Sequence, residues 1–154
     1  MQRNVFGEFI VGYEDIAEEL LKLNTKIYKI VPKIGTKTSF YLTYNGEVVE
    51  NPNYSGFYGI LNSIKCQYTG YGFKKNINDR LGSFFSEVKN DTLRKNTYHS
   101  AAKKFKSFGG RYDDLYAIIM QYPISSETEA KEIENHLICK MKPALNKKLW
   151  LTNV

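Results

Sequence analysis

The chain is poor in cysteine. Cys66 and Cys139 are its only two, too few for a disulfide framework and without partners at metal-ligand spacing. Both thiols are expected to be reduced and without a functional role. No apolar run approaches the ~18 residues of a membrane-spanning helix, and the opening MQRNVFGEF carries no signal-peptide core. These absences point to a cytoplasmic protein with no membrane partner. Disorder is excluded by what is present, since 42% of residues are hydrophobic and 14% aromatic against 25% charged, a globular composition. At 154 residues the chain is expected to form one globular unit with a substantial core.

Positive charge is in excess but unevenly spread. Residues 1–50 hold six basic and seven acidic side chains, whereas residues 74–111 hold ten basic and three acidic. The basic set includes Lys74, Lys75, Arg80, Arg94, Lys95, Lys103, Lys104 and Lys106. Such a concentration suits binding to a phosphate backbone, where each neutralised phosphate releases condensed counterions. On charge alone, a solvated surface with surplus lysine is an equal alternative.

Hydrophobic spacing outlines the elements. EDIAEELLKLN (14–24) reads as an amphipathic helix and KIYKIV (26–31) as a strand, while Asn45-Gly46 between strand-forming runs is a strong hairpin signal. Asn51-Pro52-Asn53 breaks the chain. Residues 1–53 contain no catalytic constellation and read as an elaboration, a helix plus a β-hairpin, in front of a core spanning 54–154. That core opens with two short strands divided at Asn62-Ser63, which puts Tyr58 and Tyr68 on neighbouring strands, with Gly56 and Gly70 leaving the backbone open to a ligand.

Ile77, Leu81, Phe84, Phe85 and Val88 form a helical stripe with Arg80 at its edge. There its stem can cover the core boundary while its fork faces a groove, although an ordinary flanking arginine is the simpler reading. Residues 91–110 read as a second helix ended by Gly109-Gly110. Its surface is basic, and His99 is either a phosphate contact or an ordinary surface residue. DLYAIIMQY (114–122) reads as a central strand closed by Pro123. Ser126 and Glu129 form a capping-box pattern opening a last helix, from near Glu127 to about Met141. Ala130, Ile133, Leu137, Ile138 and Met141 make its buried face, and Glu134 falls inside that apolar arc. A carboxylate in that position is costly unless it meets a cation, a metal or a hydrogen-bond network, which makes it a site candidate; a structural ion pair is the alternative. The fold class expected is α+β, a small and mainly antiparallel central sheet flanked by helices.

Taken in order, Gly-Phe-Tyr (56–58), Tyr-Thr-Gly (68–70), RLGSFF from Arg80, and ENHLICKMKPALN (134–146) resemble the GIY-YIG nuclease superfamily. The last two segments closely follow the nuclease domain of the bacterial excision-repair incision subunit, and the likeness covers roughly residues 54–148. The glutamate-to-asparagine spacing, Glu134 to Asn146, is the same. Phe57 and Thr69 replace the middle isoleucines of the two triplets, and the interval from Tyr68 to Arg80 is slightly longer. Tyr71 competes for the second tyrosine's place, but Gly70 follows Tyr68 at the right offset. The family lysine after the second triplet corresponds to Lys74 or Lys75.

The resemblance implies hydrolysis of a phosphodiester with one divalent metal, Mg²⁺ or Mn²⁺, held by Glu134. Tyr58 would be the general base, its pKa lowered by nearby cations. Arg80 would bind the non-bridging oxygens, Tyr68 would orient water or phosphate, and Asn146 would complete the hydrogen bonding around the glutamate and the final turn. The expected substrate is double-stranded DNA, with a homo-oligomer, a dimer or higher, needed to cut both strands. The short extension after Lys148 fits a restriction-type or phage-encoded enzyme better than homing or repair relatives. A non-catalytic nucleic-acid-binding module and an RNA nuclease are the alternatives. Only the first of these would leave the carboxylate without a purpose.

Overall fold

The computed structural model describes residues 2–3, 9–10, 12–33, 40–62, 65–89, 100–107 and 109–146, and of residues 2–3, 9–10, 89 and 100 the backbone alone. The chain begins with two short strands, β1 (Gln2–Arg3) and β2 (Phe9–Ile10), paired antiparallel. The expected helix forms as α1, Tyr13–Leu23, burying Ala17 and Leu20. Asn24 closes it, its backbone N–H and its side-chain Nδ2 both donating to the Leu20 carbonyl. Strand β3 (Tyr28–Pro32) leads to the hairpin of β4 (Phe40–Tyr44) and β5 (Glu47–Val49). Asn45 and Gly46 sit at its tip with φ of 52° and 82°, the two positive values that a type I′ turn demands.

The second hairpin is β6 (Gly56–Asn62) and β7 (Lys65–Gly72), with Tyr58 opposite Gly70 and Ile60 opposite Tyr68. Helices α2 (Ile77–Lys89) and α3 (Ser100–Ser107) follow, then β8 (Tyr116–Gln121) and α4 (Glu127–Met141). A 3₁₀ turn over Ala144–Asn146 ends the described chain. The helix expected over 91–110 is described only as α3. Gly109 (φ 82°) and Gly110 stop it, donating to the Lys106 and Phe105 carbonyls in a Schellman arrangement. Arg94, Lys95 and His99 lie outside the described residues.

Six strands form one sheet in the order β5-β4-β3-β8-β6-β7, every neighbouring pair antiparallel. The fold is α+β. Because β3 pairs with β8, strands β3, β4 and β5, which precede residue 54, extend the same sheet, while β1 and β2 pair apart from it. Strand β6 is buried from Gly56 through Leu61, because both its faces are covered. Tyr58 and Ile60 pack under α2 and α3, against Leu81, Phe84 and Phe105. Phe57 packs on the opposite face with Met120, under α1 and α4, against Leu20, Ile133 and Leu137. Strand β7 has a neighbour on one side only, and this free edge positions the site.

The start of α4 departs slightly from the sequence pattern. Ser126 Oγ accepts from the Glu129 backbone N–H at 3.1 Å, as expected. The Glu129 carboxylate, however, accepts from Ser125, backbone N–H at 2.9 Å and Oγ at 3.1 Å, one residue further back than a simple capping box. Replacing the cap, Ser126→Ala, is expected to cost about 1 kcal/mol. Urea titration should show a lower midpoint with an unchanged slope.

Candidate functional site

A cavity of about 590 Å³ lies at the free edge of β7, between α2 and α4. Strand alternation explains how it is lined. Tyr68 faces the α2 side and packs with Phe84, its ring stacked at 6.0 Å. Tyr71, three residues on, faces the α4 side beside Phe57. Both reach the cavity, because at an edge strand the two faces meet a common opening. Arg80 enters from the first turn of α2, Glu134 from α4, and Lys74 and Lys75 stand exposed at the rim.

Tyr58 is fully buried and stands behind Tyr68, their ring centroids 6.2 Å apart. Its position corrects the reading of the two glycines as openings for a ligand. A Cβ on Gly70 would come 2.6 Å from Tyr58 Oη and 2.9 Å from the Tyr68 ring, so that glycine makes room for the two tyrosines. A Cβ on Gly56 would strike the Met120 carbonyl, so that glycine lets β6 lie against β8.

The electrostatics follow from burial. Desolvation pushes the Tyr58 pKa far above its ordinary value, and Tyr68 adds to the rise while Arg80 pulls downward without compensating. Tyr68 is raised for the same leading reason. Among the protein's own groups, loss of water outweighs the Arg80 guanidinium at Tyr58, so any lowering has to come from a bound cation. Burial opposes the charge of Arg80, yet its pKa stands above the ordinary value, and the guanidinium is cationic as arginine is throughout the working pH range. The guanidinium lowers the pKa of both hydroxyls in part, and Tyr58 Oη has no hydrogen-bond partner among the described residues.

Glu134 is the other strained group. Desolvation raises its pKa from 4.5 to about 7, and Arg80 and Lys131 pull it back only in part. The expected alternative, a structural ion pair, is not found: among the described residues Glu134 is in no ion pair. Tyr71 is better satisfied. Its hydroxyl donates to Glu127 Oε2 at 2.8 Å, and burial together with that bond raises its pKa to about 12.

Asn146 sits elsewhere than expected. Its Oδ1 accepts from Thr69 N–H at 2.9 Å and its Nδ2 donates to Thr69 O at 3.3 Å. The amide thus occupies the edge of β7 as a strand partner would, tying the final turn to the sheet, and its hydrogen bonds go to Thr69 instead of surrounding Glu134. Lys103 and Lys104 are exposed on α3 and Lys106 is half-buried there, and none of the three lines the cavity. Phe73, Glu127, Lys131 and Asn135 do line it and were not singled out from sequence. A signal for two of them existed, since Glu127 and Lys131 recur with Glu134 at helical spacing on one side of α4. Comparison of the chain with protein-family models, with curated proteins and with solved structures found no match in any of the three.

Two outcomes follow from this geometry. Between pH 4.5 and about 7 the folded protein keeps a proton on Glu134 that the unfolded chain has lost. Stability therefore falls as pH rises through that window, by on the order of 3 kcal/mol, and below it the penalty vanishes. Urea titrations in EDTA should find Glu134→Gln more stable than wild type at pH 8 and indistinguishable from it at pH 4.5. Separately, Asn146→Ala leaves the N–H and carbonyl of Thr69 without their partner and should cost about 1–3 kcal/mol, read as a lower melting temperature at any pH.

Proposed function

We propose that this chain is a metal-dependent DNA endonuclease of the GIY-YIG type. The observation that carries the reading is Glu134, a largely buried carboxylate without an ion pair, placed in a cavity whose other charged groups are mostly cationic. Pure phosphate binding gains nothing from such a group, which costs stability and repels phosphate. A non-catalytic binding module is for that reason the weaker account.

The residues fit a divalent cation. Magnesium keeps most of its waters and takes its few remaining ligands from one or two carboxylates and a substrate phosphate, so Glu134 alone suffices as the protein's contribution to Mg²⁺ or Mn²⁺. Bound there, the ion would polarise the scissile phosphate and stabilise the leaving oxygen. The remaining work falls to the chain. Arg80, cationic at any working pH, presents a planar fork to the non-bridging oxygens as charge builds on them. Tyr68 lines the cavity and orients phosphate or water through its hydroxyl. Tyr58, behind it, is the general base that the resemblance implies, although as it stands it is firmly protonated. Glu134 is among the charges that raise the Tyr58 pKa, so neutralising that carboxylate moves Tyr58 toward the basic form while Arg80 continues to pull in the same direction. Lys74 and Lys75 at the rim meet the incoming backbone. One such site cuts one strand, so cleavage of both strands calls for two copies.

Incubation of supercoiled plasmid with Mg²⁺ or with EDTA tests the reading. Wild type should nick or linearise the plasmid only with the metal. Glu134→Ala, Arg80→Ala and Tyr58→Phe should each lower the rate by on the order of 100-fold or more. Cleavage that survives Glu134→Ala would remove the metal site from α4. Binding that weakens steeply with salt but never leads to cutting would establish the binding module instead.

A further inference from the structure

The cavity is chemically two-sided, and a nucleic-acid backbone uses only one of the sides. Arg80, Lys74 and Lys75 supply the charge that phosphate requires. The wall on the α4 side adds the Tyr71 and Phe73 rings and the Asn135 amide, among the charged Glu127, Lys131 and Glu134. We propose that this wall is a subsite for a single unstacked nucleobase, that of a nucleotide flanking the phosphate bound at Arg80. The proposal deepens the nuclease reading and rests on it for the identity of the polymer.

Three observations support the assignment. At about 590 Å³ the cavity falls within the ~300–1,000 Å³ range of ligand pockets, room for a nucleotide but not for a stacked duplex. Tyr71 is held in place by its 2.8 Å hydrogen bond to Glu127 and by packing of its ring near Phe57, so the platform is ordered before any base arrives. Its pKa of about 12 keeps the hydroxyl neutral, and no phenolate repels the neighbouring phosphate. Aromatic faces beside cationic side chains are the recurrent means of holding unstacked bases. Asn135 is exposed and its amide offers both a donor and an acceptor to a base edge. The same base chemistry can come from a single strand or from a nucleotide extruded from a duplex, and extrusion costs least where pairing is already broken.

The test is a cycle of protein and substrate changes, read as binding of pentathymidylate in EDTA. Removing the central base from the oligonucleotide, and separately Tyr71→Ala, should each weaken binding by roughly 5- to 150-fold. The two together should weaken it no more than either alone. Tyr71→Phe should retain the coupling, because the ring and not the hydroxyl carries it. Full additivity would overturn the proposal, since it would make Tyr71 a packing residue only. Asn135→Ala, at an exposed position, provides a variant that does not depend on the core: it should narrow the affinity difference between pentathymidylate and pentadeoxyadenylate, and an unchanged difference would remove Asn135 from the subsite. A 20-base-pair duplex with one mismatch binding more tightly than its matched counterpart would indicate extrusion, and binding of the single strand alone would indicate a single-stranded substrate. Plasmid cleavage is scored independently. Cutting with no coupling sinks the subsite and spares the nuclease, whereas coupling without cutting leaves a nucleobase site on a protein that is not a nuclease.

Discussion

The antiparallel pairing of β6 with β7, with Tyr58 set opposite Gly70, is the constraint from which the rest of the site follows. A tyrosine ring can lie across a neighbouring strand only where that strand lacks a side chain, and Gly70 leaves that space. With Tyr58 laid over it, Tyr68 is pushed outward against Phe84, and its hydroxyl is delivered to the cavity. A slip of β7 by one residue would send Tyr68 to the opposite face of the sheet, away from Tyr58, which the pairing of β6 with β8 holds in place. The hydrophobic contacts of α2 then fix where Arg80 stands, since Ile77, Leu81 and Phe84 are anchored in the same core as Tyr58.

A second consequence is electrostatic. Packing this tight excludes water, and the groups left inside are unequally satisfied. Tyr71 has Glu127 and Thr69 has Asn146, whereas Tyr58 Oη has no partner among the described residues and Glu134 no counter-ion there. In most of the molecule, buried polar groups find hydrogen bonds. Asn78 Oδ1 also lacks a partner among the described residues, but only the two groups of the site are linked, since the Glu134 charge contributes to the raised pKa of Tyr58. A structural core would relieve such strain with an apolar substitution, and a binding surface would replace the acid with a base. A site that places a cation between phosphate and protein needs the acid.

Much of this was legible in the sequence, for reasons that differ by residue. The Asn45-Gly46 turn, the β6–β7 hairpin and the buried face of α4 follow from local pattern, where backbone demand and side-chain period agree. Glu134 stood out because a charge interrupted an apolar period. The purpose of Gly70 was not legible, since room for a ring across a strand and room for a ligand leave the same letter. Nor was the complete burial of Tyr58, which depends on how much water the assembled sheet and helices exclude. Asn146 was misread for a related reason: its spacing from Glu134 suggested a shared task, whereas the chain reverses after α4 and brings the amide to Thr69 on β7. Lys131 and Glu127 carried a helical signal that becomes meaningful only once the edge of β7 is known to lie beside them.

The placement at an edge has its own logic. In the interior of a sheet, residues three apart on one strand face opposite layers and cannot meet. Tyr68 and Tyr71 share a cavity because β7 is the last strand, so that groups from α2 on one face and α4 on the other converge around it. An exposed edge also invites pairing with other chains. Asn146 answers that hazard by taking both backbone groups of Thr69 with a single side chain. It closes part of the edge without adding a strand, which would have covered the opening through which Tyr68 is reached. Both tyrosines between which the sequence left a choice belong to the cavity, one on the side with Arg80 and the other on the side with α4.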